Sequence, residues 1–281
     1  MNPIEIGLLV LLGIFAGTYG TIIGAGGGFI LVPALAWVPA YAALSAEALT
    51  GVSLVAVFCN AVSAVIAYWR QRRIDVPIAL TLGLFAVPGS VLGRTVVTWL
   101  DRNRFEAAFG ALLVAIAVYL VVRKPPINRS AGDKPPPPGV LRRSYRLLAG
   151  EQTTVDVDMR IGAVASFLIG FLASLFGVGG GLMMVPTMVS LMSVPPIVAT
   201  ATSQMYLLTT SGVSLTTDLF NGGASPLEHL GLALPLSVGV IVGAQVGARI
   251  SRRLGARWIV RMLAVALGLA GARLVWAGLS G

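Results

Sequence analysis

Three observations predict an all-α integral membrane protein made of two homologous halves. Of 281 residues, 56% are hydrophobic and only 11% charged, whereas ordinary soluble domains carry about 25% charged residues. A glycine-rich apolar phrase occurs twice, GTIIGAGGGFILVP from Gly20 to Pro33 and ASLFGVGGGLMMVP from Ala173 to Pro186. Between the copies lies the one long polar stretch, Arg123 to Arg160, with prolines at 125, 126 and 135–138. The chain therefore divides into a first membrane repeat, 1–123, a proline-rich polar linker, 124–159, and a second membrane repeat, 160–281.

In the first half, apolar runs cover 4–23, 29–44, 48–69, 76–100 and 105–122. They are continuous rather than alternating, which excludes a transmembrane β-barrel, and several reach the ~20 residues that cross a bilayer as a helix. The opening run has no Lys or Arg before it and no small-residue cleavage site after it, so it reads as a retained helix and not a removable signal peptide. The glycines at 26–28 then break the helix. Backbone opened at membrane depth must be buried in protein or line a cavity, so each half is predicted as a glycine-broken helix hairpin plus three transmembrane helices. The linker reads as a tether, mobile in its proline-rich part and briefly helical around Leu141 to Leu148. The second half repeats the scheme over 161–194, broken at its glycines, then 197–220, 229–250 and 258–279.

The likeness of the halves extends beyond the glycines. Thr50, Ser53 and Asn60 recur 150 positions later as Thr200, Ser203 and Thr210, and Gly89 and Gly93 recur 154 later as Gly243 and Gly247. Duplication and fusion accounts for this order. The basic cluster follows the second long run in the first half (Arg70, Arg72, Arg73), but shifts one loop on in the second (Arg249, Arg252, Arg253, Arg257). That shift points to inverted repeats. If each glycine break folds its segment into a hairpin, only Arg94, Arg102, Arg104 and Arg273 of the 20 basic residues fall on the poor side of the membrane. The positive-inside rule favours this arrangement, which puts the linker in the cytoplasm and both termini outside. A net charge of +9 carried at helix ends is a topology signal and argues against a nucleic-acid partner.

The functional expectation starts at the breaks. A new helix begins at Phe29 and at Leu182, with free N–H groups and a positive dipole end aimed back at the glycines. Gly24, Gly26, Gly27 and Gly28 in one half, and Gly177, Gly179, Gly180 and Gly181 in the other, let a ligand approach backbone donors closely. Two such ends facing one solvated chamber would bind a small anion. Thr50, Ser53, Asn60 and Ser63 fall close to one helical face, with Thr200, Ser203 and Thr210 at the matching places of the second half and Gln204 adjacent; the neutral groups of Thr50, Ser53, Asn60, Thr200, Ser203 and Gln204 would complete the cage. The competing readings are that the glycines only permit tight packing and that the hydroxyls bond their own backbone.

Other features carry plainer readings. Gly89, Gly93, Gly239, Gly243 and Gly247 have the spacing of close helix contacts, and Pro88 and Pro235 are expected to kink their helices. Arg94, Arg249 and Arg261 lie near helix ends and are expected to snorkel. Asp218 is the best placed carboxylate for proton coupling, set against ordinary solvation at a helix end. His229 reads as interfacial. Cys59, the single cysteine, reads as packing; it excludes an internal disulfide and any cysteine-based metal site. HExxH, GxSxG and GxxxxGK[ST] signatures are absent from the sequence, so neither an enzyme nor a cofactor or metal is expected.

In these features the chain resembles the sulfite exporter TauE/SafE family of membrane permeases. Gly24, Gly26 to Gly28 and Pro33 match the first copy of the family pattern, and Gly177, Gly179 to Gly181 and Pro186 the second. The resemblance implies a permease of the bacterial inner membrane moving sulfite, sulfoacetate or another small sulfur-containing anion. The expected partners are that anion and membrane lipid, with a homo-oligomer left open. Rival classes are an anion channel and a non-transport membrane scaffold.

Overall fold

The computed structural model describes residues 2–38, 41, 44–122, 139–146, 152–221 and 229–253, and scattered positions of 261–276. Helix α1, Pro3–Ile23, begins with Pro3 in its first turn and with Glu5 accepting the Asn2 N–H at 3.0 Å, a reciprocal end that satisfies a donor the helix cannot. It stops at Gly24 in the left-handed conformation (φ 80°). Helix α2, Gly28–Trp37, then turns back along α1: Gly27 lies against Ala16, and Leu31 and Leu35 share a buried cluster with Leu9.

Helices α3, Ala46–Arg70, α4, Val76–Val97, and α5, Arg102–Val122, complete the first half. Ser45 and Asp75 cap α3 and α4 through the amides of Ala48 and Ile78. The second half runs as α6, Met159–Leu175, α7, Gly181–Ser190, α8, Pro196–Asn221, and α9, Leu230–Ile250. It repeats the hairpin, with Pro33 and Pro186 at the same position inside α2 and α7. Helices α1, α3, α4 and α9 are long and apolar enough to span a bilayer. Their outward side chains, among them Leu8, Leu11, Phe15, Leu80, Leu84, Leu234 and Val238, are apolar and exposed, as a lipid-facing surface requires.

The halves interlock. Helix α1 packs chiefly on α9 of the other half, and α6 chiefly on α4. Glycines make both seams: a Cβ on Gly89 or Gly93 would strike the carbonyl of Phe167 or Phe171, and one on Gly243 or Gly247 that of Ile14 or Thr18. The packing role expected of these glycines holds, and Gly239 adds to it against Val10 and Gly13. Pro88 and Pro235 lie within continuous helices.

Helices α3 and α8 lie side by side and antiparallel. Arg94 at the end of α4 joins Thr50, near the start of α3, to Asp218, near the end of α8. At the opposite end Arg73, just past α3, donates to the carbonyl of Ile197 at the start of α8 (3.1 Å). Helix α5 closes one side over both breaks, with Phe105, Phe109 and Leu113 in one buried cluster with Phe29, Val178 and Leu182, and Phe109 stacked on Phe176 at 4.9 Å. Cys59 packs at the edge of the Leu9–Leu31 cluster.

The linker departs from expectation. Instead of a helix around Leu141, strands β1, Val140–Arg146, and β2, Gln152–Asp158, pair antiparallel with Arg142 opposite Asp156 and Tyr145 opposite Thr153. The cause is the alternation in QTTVDVD, where β-branched Thr153, Val155 and Val157 fall on one face. Tyr145, Val155 and Val157 are buried against Ile78, Leu82 and Met188, so this part of the linker docks on α4 and α7 rather than only tethering the halves. The proline-rich 124–138 lies outside the described residues, as does most of the apolar run 258–279.

Candidate functional site: paired helix breaks

Each break is three left-handed glycines. Gly24, Gly26 and Gly27 have φ of 80°, 75° and 85°, and Gly177, Gly179 and Gly180 have 68°, 79° and 85°. Side chains rarely adopt these angles, so the glycines are there for conformation as well as for size. The chain turns by donating twice to one carbonyl: Ala25 and Gly26 to Gly20 O (2.7 and 3.2 Å), Val178 and Gly179 to Ala173 O (3.0 and 3.4 Å). In the inner helices the first bonded amides are those of Ile30 and Met183. The N–H groups of Gly27, Gly28, Phe29, Gly180, Gly181 and Leu182 have no partner among the described residues, although Phe29 and Leu182 are buried. Six unmet donors at two buried helix starts are costly unless something else satisfies them.

The two breaks touch. A Cβ on Gly28 would lie 2.8 Å from Gly177 O, and one on Gly181 would collide with Gly24 O. Between them sit Val57 and Leu207, which crowd both Gly26 and Gly179. The solvated chamber expected between the breaks is therefore replaced by direct packing, because these two apolar side chains occupy the axis on which the halves meet.

The hydroxyls divide by role. Ser53 donates to Gly177 O and Ser203 to Gly24 O, both at 2.8 Å, so each half satisfies the turn carbonyl of the other. Thr210 donates to Gly179 O at 2.7 Å. Thr50 donates to Ala46 O and Thr200 to Ile197 O on their own helices, the backbone-bonding alternative. Asn60 and Gln204 face each other at 3.5 Å across the axis, with Thr21 donating to Asn60 and Gln204 to Gly20 O. Ser63 lies apart and donates to Ile241 O. The structure thus gathers Ser53, Asn60, Ser203, Gln204 and Thr210 around the breaks; Thr50 and Thr200 pack there too, against Gly177 and Gly24, but turn their hydroxyls to their own helices.

Arg94 is a correction. Rather than snorkelling it is 1% exposed and forms a buried ion pair with Asp218, while also donating to Thr50 Oγ1 (2.5 Å) and Glu47 O (3.1 Å). The carboxylate is buried as well, and its Oδ2 has no hydrogen-bond partner among the described residues. The sequence held a signal: an Arg and an Asp inside apolar spans of different halves must each find a partner away from lipid. Arg73, read only as a topology signal, is likewise buried, with its guanidinium 5.0 Å from the Tyr68 ring.

This architecture, helical hairpins broken by glycine and interlocked around a shared axis, defines a multi-pass helical membrane protein. The chain matches the model of the family "Sulfite exporter TauE/SafE" over residues 9–274, and it belongs to that family, one of transporters. It is 31% identical over 278 residues to the "Probable membrane transporter protein YunE" of Bacillus subtilis, covering 97% of this chain and 98% of that one. A "Probable membrane transporter protein" of Xylella fastidiosa is 26% identical over 220 residues, covering 78% of this chain and 75% of the relative. One from Methanocaldococcus jannaschii is 24% identical over 184 residues, covering 64% and 60%. No solved structure matches the chain.

Proposed function

We propose that this membrane transporter is a secondary carrier of a small anion, sulfite or an organosulfonate, working by alternating access between two inverted repeats in the inner membrane, with the linker in the cytoplasm. The reading rests chiefly on one observation, the six buried amides without partners at the facing starts of α2 and α7. Such groups favour a negative ligand without a buried counter-charge. The antiparallel course of α3 and α8 and the exchanged packing of α1 on α9 and α6 on α4 support the inverted arrangement. Substrate would enter when the hairpins part and Val57 and Leu207 withdraw, exposing the amides of Gly27 to Phe29 and Gly180 to Leu182 together with Asn60 and Gln204; those of Gly26 and Gly179, expected from the sequence to join them, are held by the turn carbonyls of Gly20 and Ala173. The hydroxyls of Ser53 and Ser203 would exchange a carbonyl for the oxyanion in the same movement.

Replacing Gly27 or Gly180 by leucine tests this, since both lie at φ 85° and a Cβ at Gly180 would come 2.9 Å from the Tyr206 ring. Flux of sulfite and methanesulfonate in vesicles is expected to fall to background in both variants, while Gly7→Leu, where a Cβ meets nothing within 4 Å, transports normally. Wild-type flux in both break variants overturns the site. Saturable counterflow separates a carrier from a channel.

A further inference from the structure

We propose that the arginine-lined cleft between the linker hairpin and the ends of α3, α8 and α9 is a second anion site, which collects a small divalent oxyanion at the linker end of the molecule. The cleft has a volume of about 1020 Å³, and Arg70, Arg72, Arg73, Arg142, Arg143 and Arg252 line it. Among the described lining residues one is a carboxylate, Asp75, and it is already engaged: it accepts from the amide of Ile78 and from Tyr145 Oη at 3.0 Å, with Arg143 Nε 3.6 Å away. Arg142 also pairs with Asp156. The field in the cleft is strongly positive, and a low-dielectric wall focuses such a field on an anion.

A preference for positive residues on one side of a membrane accounts for the presence of arginines, but not for how these are held. Arg73 is 8% exposed, and its Nε is buried with no hydrogen-bond partner among the described residues. Nη1 donates to Gln71 Oε1 (3.0 Å) and Ser251 Oγ (3.1 Å), and Nη2 to Ile197 O (3.1 Å). Burial, with Arg252 nearby, lowers its pKa from the usual guanidinium value, partly offset by the Tyr68 phenol. A buried cation with no carboxylate paired to it among the described residues is the arrangement that an incoming anion improves. Arg72 beside it has φ 54°, a strained angle for a side chain of this size, and strain of that kind concentrates at binding sites.

The cleft also leads somewhere. Beneath Arg73 the Tyr68 hydroxyl donates to Thr21 O at 2.9 Å, three residues before the first break. One clause of the inference, that the collected anion is the transported one, rests on the function proposed above; the existence of the site does not. The docked hairpin forms the outer wall, which gives this part of the linker a task beyond joining the halves.

The test places a reporter in the wall. Ser144 lines the cleft and is exposed, so a Ser144→Cys variant in a Cys59→Ala background can be labelled with a neutral maleimide in detergent. Millimolar inorganic sulfate is expected to slow labelling at least fivefold relative to chloride at equal ionic strength. The exposed pair Arg72→Gln and Arg252→Gln together should abolish that protection. Equal labelling in sulfate and chloride overturns the proposal, as does protection that survives the double arginine variant. Protection seen only in phosphatidylglycerol bilayers, and not with sulfate in detergent or phosphatidylcholine, assigns the cleft to a lipid headgroup and overturns it too. Sulfate protection without flux of any anion would leave the cleft standing and remove the transport reading; flux without protection would do the reverse.

Discussion

The two ends of the molecule solve one packing problem with different chemistry. At each end a buried arginine donates to a first-turn carbonyl of a polar helix, Arg94 to Glu47 O and Arg73 to Ile197 O, acceptors that lie 150 positions apart and are equivalent in the two halves. Beside each arginine stands the residue near the end of the antiparallel partner helix, Asp218 in one case and Tyr68, again 150 positions away, in the other. One guanidinium therefore has a full counter-charge, and the other has an aromatic face and two hydroxyl or amide acceptors. The positions of these contacts correspond while their charge balance does not. Movement at the Arg94 end must separate an ion pair away from water; movement at the Arg73 end need only exchange weaker contacts.

The largest effect should come from removing the counter-charge. Asp218→Ala leaves Arg94 buried and uncompensated, a loss of about 3–5 kcal/mol for a buried pair, and thermal unfolding in detergent should move down accordingly. Replacing both partners, Arg94→Met with Asp218→Leu, should recover most of that stability. A single Asp218 variant as stable as the parent would mean the pair carries no net stabilisation.

Tyr68→Phe probes the other end more gently. It removes the bonds to Thr21 O and Ser251 Oγ (2.9 and 3.2 Å) but keeps the ring under Arg73. A cost of about 1 kcal/mol is expected, clearly smaller than at the Arg94 end, and an equal or greater loss of melting temperature would erase the asymmetry. The smallest effect is expected at Arg142→Gln, which removes a solvent-accessible pair with Asp156 on the linker hairpin. No measurable change in unfolding should follow, because exposed pairs are screened and contribute little.

Much of this was legible in the residues. The left-handed turns at both breaks follow from consecutive glycines in an apolar run, and the α1–α9 and α4–α6 seams follow from glycines four apart. The approach of Ser53 and Ser203 to the breaks was visible as a polar stripe, though its use was not: the hydroxyl protons go to opposing carbonyls. The β-hairpin at 140–158 escaped because a strand of seven residues rich in arginine gives a weak periodic signal, and its burial depends on where α4 and α7 place Ile78 and Met188.

By itself the sequence determined the membrane class, the duplicated hairpins and the glycines at their tips, since each is a local consequence of hydropathy and backbone freedom. Only the tertiary structure decided which groups meet across the halves. Asp218 is a solvated helix end or the partner of a buried arginine according to where α4 of the other half ends, and Val57 and Leu207 are ordinary apolar residues until antiparallel α3 and α8 set them between the breaks. Those outcomes depend on the arrangement of distant segments around a common axis, which short-range patterning does not encode.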